Sequence, residues 1–127
     1  MTSDMVSGVH TVRTHHDLVV WQKSVDFVEV VYRLTQEFPG DERFGLTSQL
    51  RRAAVSIPSN IAEGAARKSK LEFAQFISIA LGSAAEVETQ VEIARRLSLC
   101  QQTSSATQSV RVLIRMLSAL RQSLSDK

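Results

Sequence analysis

Apolar residues recur along this chain at intervals of three and four positions, the spacing of an amphipathic helix. Four segments carry this pattern, at about 17–38, 42–67, 69–99 and 104–123. Short turns rich in polar residues, or in proline and glycine, separate them, and no segment shows the alternation of a half-buried strand. The pattern predicts an all-α fold, an antiparallel up-down-up-down four-helix bundle over residues 17–127.

The apolar positions also predict the buried face of each helix. In the first helix they are Trp21, Val25, Val28, Val31, Tyr32, Thr35 and Phe38. In the other three helices they are Leu46, Leu50, Ala53, Ala54, Ile57, Ile61 and Ala65; Phe73, Ile77, Ala80, Leu81, Ala84, Val87, Val91 and Ala94; and Ala106, Val110, Leu113, Ile114, Leu117, Leu120 and Leu124. Asp17 is the predicted N-cap of the first helix, and Ser69 with Glu72 forms a capping-box pattern at the third.

The middle of the second helix keeps helical spacing but contains residues that weaken a helix. Pro58 has no backbone N–H and clashes with the carbonyl four residues earlier, so we expect a kink or a break near it. Ser59 and Asn60 offer side-chain hydrogen bonds to backbone groups released there. Gly64, and Gly82 in the third helix, are expected where helices cross closely, since glycine costs about 1 kcal/mol relative to alanine in a helix.

Composition limits the class of protein. The formal net charge of +2 permits nucleic-acid binding without demanding it. Cys100 is the only cysteine, so no intramolecular disulfide forms and a reducing compartment is the simplest interpretation. Residues 1–16 are predicted to be a flexible tail without a secretory signal. Because no apolar run approaches the roughly 18 residues of a membrane span, we expect a cytoplasmic protein without a membrane partner.

Side chains suited to catalysis or metal binding are scarce. The histidines His10, His15 and His16 all lie in the predicted tail, and no helical histidine is present to activate Cys100. We therefore predict no catalytic, cofactor-binding or metal-binding residue, and a protein that is not an enzyme. Glu88 lies near the buried edge of the third helix, where three roles remain open: an ion pair with an arginine of another helix, a functional carboxylate, or simple exposure to solvent.

Basic residues gather around the second helix and the turn after it. They are Arg43, Arg51, Arg52, Arg67, Lys68 and Lys70. The outer face of that helix is predicted to carry Arg52, Ser56, Ser59 and Glu63. Arginine suits phosphate recognition because its guanidinium is planar and permanently charged. The cluster is either a solvated face with local salt bridges or a surface for nucleic acid or an acidic protein. Few aromatic residues accompany it, so base stacking is not indicated.

Three segments resemble a known family. Residues 50–64, LRRAAVSIPSNIAEG, and residues 81–90, LGSAAEVETQ, resemble the two signatures of four-helix-bundle proteins related to the 23S rRNA intervening-sequence protein. Residues 20–24, VWQKS, are similar to the usual start of that family, and the resemblance covers about 18–120. It implies an antiparallel four-helix bundle that assembles into a ring-shaped homo-oligomer, typically a pentamer.

The resemblance gives a limited view of function. Some relatives are encoded inside rRNA intervening sequences, and others resemble accessory proteins of diversity-generating retroelements, which bind a reverse transcriptase and nucleic acid. For most members the biochemical role is unknown, and the family has no assigned catalytic residue to carry over.

These observations together favour a non-enzymatic, self-assembling bundle that acts as a binding or scaffold module for RNA, DNA or a nucleic-acid enzyme. The residues assigned to that contact are Arg51, Arg52, Arg67, Lys68 and Lys70. The residues assigned to the kink and to polar contacts between helices are Pro58, Asn60, Glu63, Gly64 and Glu88. Ile79 and Leu97, on the outer side of the third helix, indicate a subunit contact. The alternatives are a purely structural oligomer without nucleic acid and a carboxylate-based enzyme that uses Glu88.

Overall fold

Four α-helices form in residues 14–126, the part of the chain that the computed structural model describes. They are α1 (Val19–Gln36), α2 (Leu46–Ala65), α3 (Lys70–Arg96) and α4 (Ser104–Ser125). Short 3-10 turns at His15–Asp17 and Gly40–Glu42 precede α1 and α2. No strand occurs in this range, and none of these helices is both long and apolar enough to cross a membrane.

The helices pack as an antiparallel bundle. α2 packs against α3, α3 against α4, and α1 against both α2 and α4, so that the ring of neighbours closes. On α2, Gln49 lies beside Gln90 of α3, whereas Ser56, one to two turns further along α2, meets Ser83, which lies earlier in α3. The two helices therefore run in opposite directions, as short connections between neighbours require. The predicted all-α four-helix bundle is confirmed.

The core is made mostly of aliphatic side chains and alanine. Its fully buried members in α2, α3 and α4 are Leu50, Ala54, Ile57, Ile61, Ile77, Ala80, Ala84, Val87, Val91, Ala94, Val110 and Leu117. The spacing of apolar residues predicts all of them. Small alanines on facing helices let the backbones approach closely, since nothing larger has to be accommodated between them. Leu46, Ala65, Leu81, Ile114 and Leu120 lie at the edges of this core and are only partly buried.

The buried face of α1 differs from the predicted one. Its buried residues are Val20, Ser24, Phe27, Val31, Leu34 and Thr35, with Phe38 just after the helix end. Trp21, Val25 and Val28 are only partly buried, and Tyr32 is 40 % exposed. Because valines occur around most of the circumference of α1, helical spacing alone does not select one face. The contacts of α1 with α2 and α4 select it instead.

The helix starts are set by hydrogen bonds more than by apolar spacing. Leu18, not Asp17, is the N-cap of α1, and Asp17 instead completes a capping box with Thr14 in the preceding 3-10 turn. α2 starts later than the predicted residue 42, because the Gly40–Glu42 turn intervenes. Ser69 caps α3 as expected, with its hydroxyl accepting from the backbone N–H at the third helical position, 3.1 Å away.

The C-terminal end of α3 comes earlier than the predicted Leu99. Ser98 has a φ of 55°, in the left-handed region, and this reverses the chain after Arg96. The backbone N–H of Leu99 then donates to the Ala94 carbonyl at 3.0 Å, and that of Ser98 donates to the Arg95 carbonyl at 3.1 Å. This is a Schellman ending, which normally places glycine at the left-handed position. The absence of glycine there explains why the sequence predicted a longer helix.

The predicted tail, residues 1–16, lies mostly outside the described residues, and so does His10. Its last residues are not a tail, because they enter the 3-10 turn that precedes α1. The rings of His15 and His16 each pack edge-on at 4.8 Å from the ring of Trp21. This aromatic contact anchors the turn to the first residues of α1.

Candidate nucleic-acid interface

α2 runs without interruption through Pro58, so the predicted break is absent. Pro58 leaves the carbonyl four residues earlier without its helical N–H partner. Just after it, the Ser59 hydroxyl donates to the Val55 carbonyl at 2.9 Å, and the Asn60 side-chain amide donates to the Ser56 carbonyl at 2.8 Å. Both acceptors precede the proline, and neither is the Ala54 carbonyl that Pro58 releases. The expectation that Ser59 and Asn60 bond to the released backbone group is therefore wrong, although both side chains do bond to the adjacent backbone.

Asn60 also connects α2 to α3. Its side-chain amide donates to the Ser56 hydroxyl at 2.9 Å, and that hydroxyl lies 2.8 Å from the Ser83 hydroxyl of α3. Ser56 therefore faces the seam between the two helices. Ser56 and Arg52 do line one depression, as their predicted common face implies, but at Ser56 this face borders α3.

The two helical glycines have opposite surroundings. A Cβ added at Gly64 would lie 2.7 Å from the Phe76 Cβ and 2.9 Å from a ring carbon of Phe73, so α2 and α3 touch at this point. Gly82 is exposed and nothing lies within 4 Å of a Cβ placed there. The close helix crossing predicted at Gly82 is therefore wrong within this chain, whereas the one at Gly64 is present.

Glu88 joins α3 to α4 through an ion pair. Its carboxylate accepts from the Arg111 Nε at 2.7 Å, and the two side chains are 34 % and 61 % exposed. The pair lies at the outer edge of the seam between the helices rather than in the bundle interior. Of the roles left open for Glu88, the structure places it in the contact with an arginine of another helix.

The basic residues around α2 separate into two groups. Arg52 lies in the first half of α2, whereas Arg67 follows the end of the helix, about 20 Å away along the axis. Arg67 pairs with Glu63 at 2.9 Å, and Lys68 and Lys70 are exposed beside it at the start of α3. The charges that are close together in the sequence are therefore not close together on the surface.

The other group surrounds the N-terminal half of α2. A shallow groove there, which we call the arginine groove, is lined by Tyr32, Arg43, Thr47, Ser48, Arg51, Arg52 and Val55. α1 supplies Tyr32 and the turn before α2 supplies Arg43, while the remaining residues lie on successive turns of α2. None of the lining residues is acidic.

Arg51 is the best-fixed side chain of the arginine groove. Its Nε donates to the Thr35 hydroxyl at 2.8 Å, and a terminal nitrogen donates to the Tyr32 carbonyl at 3.4 Å. Its guanidinium also lies over the Tyr32 ring, 4.4 Å from the ring centre. These contacts hold Arg51 against α1, so part of its hydrogen-bonding capacity is used inside the fold.

The side chains of Arg43 and Arg52 make fewer contacts inside the fold than that of Arg51. The Arg43 guanidinium lies 4.8 Å from the centre of the Phe44 ring, which is itself 84 % exposed. The Arg52 side chain is exposed and makes no hydrogen bond or ion pair with any other residue in the range 14–126. An unpaired guanidinium on a helix surface keeps its full set of donors for a ligand.

The charge of the arginine groove is not neutralised from within. In the described part of the chain, Arg43, Arg51 and Arg52 have no carboxylate within ion-pair distance. The nearby Glu42 carboxylate instead accepts from the backbone N–H of Leu46 at 3.1 Å, at the start of α2. The groove therefore holds three guanidinium groups without a paired carboxylate, although the net charge of the whole chain is small.

Sequence reasoning missed the aromatic residues of this surface. The structure pairs Phe44 with Arg43 and Tyr32 with Arg51, so the few aromatic residues near the basic cluster lie directly against its arginines. Phe44 directly follows Arg43, and this neighbour relationship was visible in the sequence. Tyr32 was not detectable, because its predicted place was in the core of α1 and it reaches Arg51 only across the α1–α2 contact.

Metal ligands and the single thiol are the remaining groups that bear on chemistry in the described residues. Across positions 14–126, no group of at least three histidine, cysteine, aspartate or glutamate side chains is placed to hold a metal ion. Cys100 is half-buried, and its burial, together with the nearby charge of Glu37, raises the pKa of its thiol. A raised pKa keeps a thiol protonated and makes it a poor nucleophile.

Comparisons with known proteins place this fold. A crystal structure of a protein of unknown function from the S23 ribosomal protein family of Bacteroides thetaiotaomicron is similar, with a TM-score of 0.75. It is 24 % identical in sequence, and the likeness covers 82 % of this chain and 96 % of that one. No curated protein matches. The family model described as 23S rRNA-intervening sequence protein matches residues 16–119. The chain belongs to the 23S rRNA-intervening sequence protein family.

Proposed function

We propose that this protein is a non-enzymatic binding module that self-associates and contacts RNA, DNA or an enzyme that acts on them, in the cytoplasm. The observation that supports the nucleic-acid contact is the convergence of Arg43, Arg51 and Arg52 on one groove without a carboxylate partner. Phosphate groups supply the negative charge that such a groove lacks.

Five other arginines, Arg33, Arg67, Arg95, Arg96 and Arg111, lie within ion-pair distance of a glutamate, so their charge is partly satisfied inside the fold. Arg115 and Arg121 of α4 have no carboxylate partner in the described residues either. What makes the arginine groove the stronger candidate is that three such arginines line it or stand beside its aromatic rings. The exposed Lys68 and Lys70, with Arg67, form a second and weaker candidate contact at the opposite end of α2.

Salt-dependent binding tests the nucleic-acid contact. We expect a fluorescently labelled RNA or DNA oligonucleotide to bind at low salt, with affinity falling linearly on a log–log plot as salt rises. Arg52→Ala should lower the slope by about one unit for each phosphate that the Arg52 guanidinium neutralises. Arg33→Ala is the matched control, because Arg33 is also exposed but pairs with Glu29 at 3.3 Å.

Two results would count against this contact. Absence of binding at low salt leaves the purely structural oligomer as the better description. Equal effects of Arg52→Ala and Arg33→Ala would remove the arginine groove from the proposal, and loss of binding in a Lys68→Ala/Lys70→Ala variant would move the contact to the other end of α2.

Self-association is supported by the outer face of α3. Ile79 and Leu97 are 51 % and 59 % exposed, and Gly82 lies between them in sequence with no neighbour inside the chain. Glycine in a helix interior costs about 1 kcal/mol relative to alanine, and no internal packing offsets that cost at Gly82. Close approach of a second copy supplies such packing. A closed ring of five copies is the form that the family resemblance implies.

Molecular mass in solution tests self-association. Light scattering at micromolar concentration should give a multiple of the 14.1 kDa chain mass. Ile79→Asp should shift the mass toward that of the single chain, because it places a charge in the proposed contact. Leu71→Asp is the control, since Leu71 is also exposed on α3 but lies near its N-terminal end. A single-chain mass for the unmodified protein would contradict the proposal.

The carboxylate-based enzyme is the weaker alternative. Glu88, the carboxylate on which it depends, contacts Arg111 at 2.7 Å on the surface of the bundle. The Arg111 guanidinium occupies one oxygen of this carboxylate, which lies at the edge of a helix seam rather than in the bundle interior. We therefore propose a structural role for Glu88.

A further inference from the structure

We infer that the arginine groove binds single-stranded rather than duplex nucleic acid, with an unpaired base stacked on Phe44. This inference rests on the proposed function and adds the class of ligand to it. It comes from the aromatic side chains that the fold places among the arginines of the groove.

Phe44 is placed to stack with a base. Its side chain is 84 % exposed, the highest value among the large apolar residues of the described chain. It lines a second depression that adjoins the arginine groove, since Ser48 and Arg52 line both. This depression also contains one acidic residue, Glu86. An apolar ring of this size kept in water is unfavourable, at about 25 cal/mol for each Å² of apolar surface, unless a partner covers it.

Arg43 prepares the Phe44 ring for such a partner. Its guanidinium covers one face of the ring, 4.8 Å from the centre, which leaves the opposite face for a base. Proteins that hold single strands stack bases on aromatic side chains, and arginine adds cation–π contacts there. Arg43 also remains available to a phosphate, because it has no carboxylate partner in the described residues.

Tyr32 provides a second aromatic surface on the far side of the groove. Its ring is 40 % exposed and is held against the Arg51 guanidinium, 4.4 Å from the ring centre. Arg52, exposed and without an internal partner, lies on the α2 surface that links the two aromatic positions. The groove and the depression beside it together therefore present Tyr32, Arg52 and Phe44 in succession, as a surface for successive bases and phosphates requires.

A duplex cannot use this arrangement fully. In a double helix the base faces are stacked on one another, so only the phosphates, sugars and base edges are available to a convex protein surface. A single strand offers both phosphates and base faces. An acidic protein would match the arginines but would leave Phe44 exposed.

The test compares three ligands that differ in whether unpaired bases are available. A labelled single strand of about 16 nucleotides, the upper range of a single-strand site, is titrated against the full chain by fluorescence anisotropy at low salt. A duplex of the same sequence and an abasic strand with the same phosphates are titrated in parallel. We expect the base-containing single strand to bind about tenfold more tightly than the abasic strand, equivalent to about 1.4 kcal/mol.

Variants separate stacking from charge. Phe44→Leu keeps an apolar side chain but removes the ring, and it should abolish the preference for the base-containing strand while leaving the affinity for the abasic strand unchanged. Arg52→Ala should weaken binding of both strands by a similar factor. Leu71→Ala, another exposed apolar side chain far from the groove, is the control and should change neither affinity. Circular dichroism checks that each variant keeps its helical content.

Each outcome decides the inference. Equal affinity for the base-containing and abasic strands, or tighter binding of the duplex, overturns it while the proposed nucleic-acid contact survives. An unchanged base preference in Phe44→Leu also overturns it. Absence of binding by all three ligands contradicts the proposed function itself, and polyglutamate binding in that case indicates an acidic protein partner.

Discussion

Gly64 of α2 lies against Phe76 of α3 so closely that a Cβ at position 64 would be 2.7 Å from the Phe76 Cβ. The Phe73 carbonyl oxygen is also near, at 3.2 Å from the same point. Real Cβ atoms do not approach one another to that distance, so one helix must move if any side chain is added. Gly64 is therefore the point that sets the distance between α2 and α3.

The Gly64→Ala variant should be less stable by about 2 kcal/mol, although alanine favours a helix over glycine by about 1 kcal/mol. The cost of separating packed backbones exceeds the gain in helix propensity. Gly82→Ala is the matched control, because a Cβ there meets no atom, and it should stabilise the isolated chain by up to about 1 kcal/mol. Urea unfolding at low protein concentration measures both, and destabilisation of similar size in the two variants would contradict the close contact at Gly64.

Ser98→Gly should stabilise the protein. Ser98 has a φ of 55° after the end of α3, a conformation that glycine adopts at little cost. We expect a gain of about 0.5–1 kcal/mol in the free energy of unfolding, with no change in the helical signal. Ser98→Val should lose stability, because a β-branched side chain is strained there. If Ser98→Gly leaves the free energy of unfolding unchanged in thermal or urea unfolding, the left-handed conformation at position 98 is contradicted.

Arg51 and Arg52 should contribute differently to the stability of the fold. Arg51→Ala removes hydrogen bonds to Thr35 and to the Tyr32 carbonyl, and it should destabilise the fold by about 2 kcal/mol. Arg52→Ala removes no internal contact and should change stability by less than about 0.5 kcal/mol. Urea unfolding curves of the two variants measure these two changes in stability. A loss of nucleic-acid binding in Arg51→Ala is therefore informative only if stability is measured alongside it, whereas Arg52→Ala reports on binding directly.

Glu92 should titrate at unusually low pH. Hydrogen bonds from Arg95 and Arg96, at 2.8–2.9 Å, lower the pKa of its carboxyl from 4.5 to about 2. Since the folded-state pKa lies below the unfolded one, the pairing stabilises the fold above about pH 4.5, and that stabilisation is lost as the pH falls toward 2. Side-chain NMR titration measures the midpoint. An Arg95→Ala/Arg96→Ala variant should bring it back toward 4.5, and high salt should do so in part because the pair is exposed.

The second to fourth helices were predictable from the sequence because each carries one unambiguous apolar stripe. Ile57 and Ile61, and Val87 and Val91, lie four positions apart and are fully buried. A helix with a single apolar face has one favourable way to face a core, whatever its neighbours are. The Ser69 cap was equally predictable, because its hydroxyl bonds only three residues along the chain.

Features that depend on a second helix were decided by the tertiary structure. Gly64 and Gly82 look alike in sequence, yet one meets Phe76 and the other meets nothing in this chain. Tyr32 has the spacing of a core residue and lies instead at the surface beside Arg51. Local spacing records which side of a helix is apolar, but not how far the next helix is or which side chain it presents.

The sequence by itself therefore determined the helices, their order and the presence of a basic cluster. The tertiary structure divided that cluster along α2 and left Arg43, Arg51 and Arg52 together, with Tyr32 of α1 held against Arg51. The physical reason is range: apolar periodicity, capping and pairs such as Arg67 with Glu63 act within a few residues of the chain, whereas the contact of Tyr32 with Arg51 depends on the distance between two helices.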